Sequence, residues 1–181
     1  MGLEKAQDHL KWAYAPYLAI HRIVVLKENE MSVLISAFVL GFVCGLRALL
    51  GLAAASWAAS SQQLRLQGTW LSFLGFRFTH YITSLLSIGE IINDKLPKTP
   101  SRLVPPQFVA RVVMGALTGT AIGLSGGQLI VGISAGIIGS VVGTFAGAKG
   151  RALVAKLFGH DLPAALLEDA IGVVLAVVAL R

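Results

Sequence analysis

Long apolar runs broken by short polar stretches dominate the chain from residue 31 onward. Residues 112–148 contain no Asp, Glu, Lys, Arg or His. A span needs roughly 20 apolar residues, so that run accommodates two. The pattern predicts helices crossing at 32–59, 69–93, 108–124, 128–147 and 162–180. Ser125, Gly126 and Gly127 predict a tight reversal between the third and fourth. Asp161 and Pro163 mark the start of the fifth, one as a cap and the other in a first turn that needs no amide donor. The expected fold class is all-α: a polytopic transmembrane bundle of five spans, forming one domain over 31–181.

The leading segment, 1–30, differs. Leu3, Leu10, Tyr14, Tyr17 and Val24 recur at near-helical spacing among charged residues, with Pro16 interrupting. Two readings stand: an amphipathic segment on the membrane surface, or an extension upstream of a natural start at Met31. Glu4, Asp8, Glu28 and Glu30 precede any long apolar region, which argues against a cleavable signal peptide.

Composition strengthens the membrane reading: 55% of residues are hydrophobic and 13% charged, against about 25% charged in soluble domains. The net charge of +6 does not point to nucleic acid, because the basic residues flank apolar stretches without interleaved aromatics. They read as topology signals. Lys5, Lys11, Arg22 and Lys27 precede the first span. Lys95, Lys98, Arg102 and Arg111 surround the second connection, and Lys149, Arg151 and Lys156 follow the fourth span. With five spans these segments share a side, which predicts a cytoplasmic N terminus in a bacterial inner membrane. The proline-rich connection 95–106 is expected to be stiff and to lie at the headgroups. A single cysteine, Cys44, leaves no intramolecular disulfide.

Two glycine series have the four-residue spacing of a zipper. Gly115, Gly119 and Gly123 lie on one face of span three, and Gly139, Gly143 and Gly147 on one face of span four, following Gly132 and Gly136. Such faces let backbones approach in lipid, so spans three and four are expected to form a tight hairpin.

Candidate chemistry lies in charges inside or bordering spans: Arg47, Arg77, His80, Glu90, Asp94, Arg102, Glu168 and Asp169. In span two the polar members share one half of the helical wheel. Intramembrane charges are costly unless paired or hydrated, which predicts an inward-facing cluster and an Arg47–Glu168 pair. Either these charges fix helix register, or they line a site or path for an ion or small anionic solute. His80 by itself is read as a histidine satisfied within the bundle. Gly41, Gly45, Arg47, Ala48 and Leu49 are weakly echoed by Gly143, Gly147, Arg151, Ala152 and Leu153, and with five spans the echo predicts an inverted repeat.

The stretches Gly45-Leu-Arg-Ala-Leu-Leu, 90–102 and 161–169 resemble a bacterial membrane family called domain of unknown function 4126, over most of the chain from Met31. The resemblance implies fold and membrane location and carries no established activity. No nucleophile elbow, histidine pair at ligand spacing or phosphate loop is present. No enzyme, metal or cofactor is therefore expected. The expected partners are the lipid bilayer, further copies of the chain, and an unknown ion or small-molecule substrate. The alternative function is a non-transporting structural or lipid-organising role.

Overall fold

The computed structural model describes residues 29–95 and 102–181. The leading segment up to residue 28, and 96–101 of the proline-rich connection, lie outside the described residues. All packing below concerns residues 33–181, one compact unit.

The described residues are helical and contain no strand. The helices are α1 (Asn29–Leu46), α2 (Ala48–Ser60), α3 (Thr79–Asn93), α4 (Pro105–Ser125), α5 (Leu129–Phe158) and α6 (Asp161–Ala179), with a 3-10 turn at Ser72–Gly75. Four of them, α1, α4, α5 and α6, are long and apolar enough to cross a membrane. This is a multi-pass membrane protein, and its surface agrees. Leu85, Ile130 and Leu157 are 70%, 82% and 76% exposed, exposures water would penalise and lipid does not. In α3 the usual pattern is inverted: His80, Thr83 and Ser87 are buried, while Ile82, Leu85, Leu86 and Ile92 face outward.

The first expected span is two helices. Arg47 is extended (φ −140°, ψ 110°), so the chain reverses between α1 and α2. A side chain added at Gly51 would meet the Leu40 carbonyl at 2.9 Å, whereas in a continuous helix those residues would stand about 16 Å apart. The reversal therefore changes which connections share an end. Val33 of α1 lies beside Gly126 in the α4–α5 turn, and the Arg65 amide, beyond α2, donates to Ser125 at 2.9 Å. From that turn end α1 runs to Arg47 at the opposite, charged end, and α2 returns. Then α3 climbs again, α4 descends, α5 climbs and α6 descends. The predicted side assignment required 32–59 to cross once; here the start of α1 stands opposite the basic connection.

The second expected span is shortened. Residues 69–78 form turns, in which the hydroxyls of Thr69 and Thr79 donate to the Leu66 and Phe73 carbonyls, each at 2.7 Å. This local bonding competes with a helix. Exposed Trp70, Phe73, Phe76 and Phe78 cluster here, a composition suited to the membrane interface.

The Ser125–Gly127 turn forms as predicted, with Gly127 left-handed at φ +69°. Around it the glycines divide between two partners. Side chains built at Gly115, Gly119 and Gly123 would strike α5 backbone at Gly132 and Gly136 or the Ser140 side chain. Those built at Gly139 and Gly143 would strike α1 at Phe38 and Phe42. The second series is expected against α4; Gly139 and Gly143 instead meet α1, while Gly132 and Gly136, on nearly the same face of α5 but closer to its start, meet α4. At Gly147 an added Cβ would fall 2.6 Å from Arg102 Nη1 and 2.8 Å from Glu168 Oε1. Helix α5 thus packs against both α1 and α4 and runs parallel to α1. The two halves of the sequence echo consequently point the same way, and the predicted inversion between them does not occur.

Candidate functional site

Breaking a helix inside a bundle exposes carbonyls at one end and amides at the other, and both require partners. The Arg47 reversal has them. At the end of α1, Arg111 Nη1 donates to the Gly45 and Leu46 carbonyls at 3.1 and 2.5 Å. At the start of α2, the Glu90 carboxylate accepts the Ala48 amide on one oxygen and the Leu49 amide on the other, each at 2.8 Å. Arg111 and Glu90 are themselves 3.8 Å apart. A cation on the carbonyl end and an anion on the amide end match both helix dipoles.

Arg47 is completely buried. Its Nε donates to Asp169 Oδ1 at 2.7 Å, and its Nη1 pairs with Asp94. Asp94 also receives Arg151 at 3.2 Å, while Lys95 reaches Asp169 Oδ2 at 3.1 Å. Glu168 is held by both terminal nitrogens of Arg102, one at 2.8 Å. Arg151 extends the cluster to exposed Asp161, at 2.9 and 2.5 Å. The cations Arg47, Lys95, Arg102, Arg111 and Arg151 thus face the carboxylates Glu90, Asp94, Asp161, Glu168 and Asp169.

The predicted Arg47–Glu168 pair is corrected. Neighbouring residues on a helix point about 100° apart, so Glu168 and Asp169 address different partners, Arg102 and Arg47. Two other candidates stand outside the cluster. Arg77 is exposed in the turn before α3, 5.8 Å above the Phe78 ring. His80 lies at the opposite end of α3 from Glu90, against the Trp57 and Tyr81 rings at 4.4 and 4.1 Å. Glu90, Asp94, Arg102, Glu168, Asp169 and Arg47 do converge. Sequence reasoning overlooked Arg111, Arg151, Lys95 and Asp161 as members. The three cations read as topology anchors in the sequence, and Arg151 falls within a helix only because α5 continues past the expected end at 147 to Phe158.

The cluster is level with Gly147, 18 residues beyond the start of α5 (147 − 129), or about 27 Å from the turn end. In a core about 30 Å thick this is near one boundary. Toward the turn end the interior is Leu40, Ala37, Val33, Ala121 and Ile122, with Cys44 against Thr118 at 3.4 Å. Among the described residues no three His, Cys, Asp or Glu side chains group to hold a metal.

No family model, curated protein or solved structure matches the chain.

Proposed function

We propose that this protein moves a small ion, of which a small anion suits the site best, across a bacterial cytoplasmic membrane. The observation carrying this reading is the helix reversal at Arg47, which turns the facing ends of α1 and α2 into a buried charged cluster. Such facing helix ends bring backbone dipoles and charged side chains together, here near one membrane boundary, as the discontinuous helices of many transporters do around their solutes. Here the closed interior beneath the cluster makes the ion pairs a gate, and opening requires at least one of them to part. The resemblance to the family named above fits the membrane location.

A structural role is the second reading. Its support is the completeness of the pairing: five cations meet five carboxylates, as register pins would. We take the charged end as cytoplasmic, because Lys95, Lys149 and Lys156 gather there. The glycine faces are read as a packing zipper. A bundle of so few helices encloses little space, so transport would use an oligomer.

The test compares proton, cation and anion flux in liposomes for wild type, Arg47→Ala and Glu168→Ala, each confirmed folded. Selective flux in wild type, lost in the variants, supports transport. Folded protein that passes no ion in any sample refutes it and leaves the structural role.

A further inference from the structure

From the geometry of the α2 start we infer that the Glu90 carboxylate is a tethered occupant of an anion site, which a small planar oxyanion fills when Glu90 is protonated and withdraws.

Glu90 is bonded to main-chain amides at the start of α2. Asp94, Asp161, Glu168 and Asp169 pair with cationic side chains. Its two oxygens each take one amide of consecutive residues, at equal 2.8 Å distances. A planar anion with two oxygens reproduces that arrangement, and α2 is long enough, at 13 residues, to present a helix N-terminus to it. A second feature points to a ligand independently. Arg111, 2% exposed, lies against the same carboxylate, and its Nε has no hydrogen-bond partner among the described residues. Nature rarely leaves such a donor buried without a use. The site thus combines two amides, a buried guanidinium with spare donor capacity, and one removable anion.

The balance is simple. A proton joins the Glu90 carboxylate, the neutral acid releases the Ala48 and Leu49 amides, and one anion takes its place, so the site's charge is unchanged. The groups that face Glu90 across this exchange are Arg111, 3.8 Å away, and Cys44 of α1, with Asp94 one turn along α3. Arg111 is held by the Gly45 and Leu46 carbonyls too, which lets Glu90 leave without dismantling the rest. This inference rests on the proposed anion function and gives it a ligand class and a coupled proton.

Nitrate is the probe, because it is planar, monovalent and does not titrate. Its binding to detergent-purified full-length protein is measured by calorimetry across pH for wild type and Glu90→Ala. The expected result is a wild-type affinity that strengthens about tenfold per unit fall in pH, the signature of one proton taken up per anion. Glu90→Ala is expected to bind nitrate without that dependence. Folded Glu90→Ala that binds no nitrate, or wild-type binding indifferent to pH, overturns the inference. If Glu90→Ala does not fold, the wild-type titration alone decides. Proton-coupled binding without liposome flux would retire transport and keep the site; anion flux without such binding would retire the site and keep transport.

Discussion

Arg102 and Asp161 show how differently two charges of one cluster are tied to the fold. Arg102 is 8% exposed and holds both oxygens of buried Glu168. Removing it strands a carboxylate in a medium that cannot solvate it. Arg102→Ala is expected to destabilise the folded protein by about 3–5 kcal/mol, the usual cost of orphaning half of a buried pair. Asp161 also meets an arginine in good geometry, but its side chain is 61% exposed. Water replaces what Asp161→Ala removes, so that change is expected to cost under about 1 kcal/mol. Thermal unfolding in a mild detergent compares the two, and equal losses would contradict the burial argument.

Sequence reading was partly sufficient at this scale. It named Arg47, Glu90, Asp94, Arg102, Glu168 and Asp169 because charge inside an apolar run is visible in a string. It missed Arg111, because a cation six residues from a helix start looks the same whether it snorkels to headgroups or caps another helix. The choice between Glu168 and Asp169 for Arg47 was likewise invisible, since it depends on the rotation of α6 about its own axis.

Among elements, α5 carries the tightest demand. Its Gly136 faces Gly115 and Gly119 of α4, and its carbonyl lies against Gly41 of α1. A branched side chain at that point meets α4 backbone and finds nothing flexible to displace. Gly136→Val is expected to separate α5 from its neighbours and to abolish the folded state, seen as loss of a monodisperse peak on size exclusion. Gly89 in α3 supplies the control, for nothing lies within 4 Å of an added Cβ there. Gly89→Ala is expected to stabilise the protein by about 0.5–1 kcal/mol, through the helix preference of alanine over glycine. A loss of stability at Gly89 would show that α3 meets a surface beyond the chain itself. The glycine spacing disclosed that close helix contacts exist; which series meets α4 and which meets α1 follows from the crossing of three helices, and spacing along one helix cannot encode it.

For the whole molecule, the direction of each helix is the decisive property. The reversal at Arg47 puts exposed Leu34, next to Val33 at the start of α1, at the turn end, and Lys149 at the charged end. Single cysteines at 34 and 149, in a background where buried Cys44 is replaced by Ala, are expected to react with an impermeant maleimide from opposite faces of the membrane. Labelling from one face would mean that α1 and α2 cross as one helix. A second expectation concerns lipid. Helix α5 continues 11 residues beyond Gly147 (158 − 147), about 16 Å, and carries exposed Leu153, Leu157 and Phe158 with Lys156. Vesicles rich in anionic lipid are expected to stabilise the protein more than neutral ones, and the difference to shrink in Lys156→Gln.

The sequence by itself determined the solvent and the building material. Apolar runs of span length, few charges and small residues at four-residue intervals are local properties, and partition into lipid acts on them run by run. Tertiary structure decided what depends on relations between runs. That 32–59 reverses at Arg47 follows from partners 41 to 66 residues away in Glu90 and Arg111, which satisfy the broken ends. An unbroken helix leaves no backbone group unpaired and is the natural expectation until those partners are in place. The same reversal decided which charges share an end and which carboxylate each arginine meets, because pairing in a low-dielectric interior is set by distances in space rather than by order along the chain.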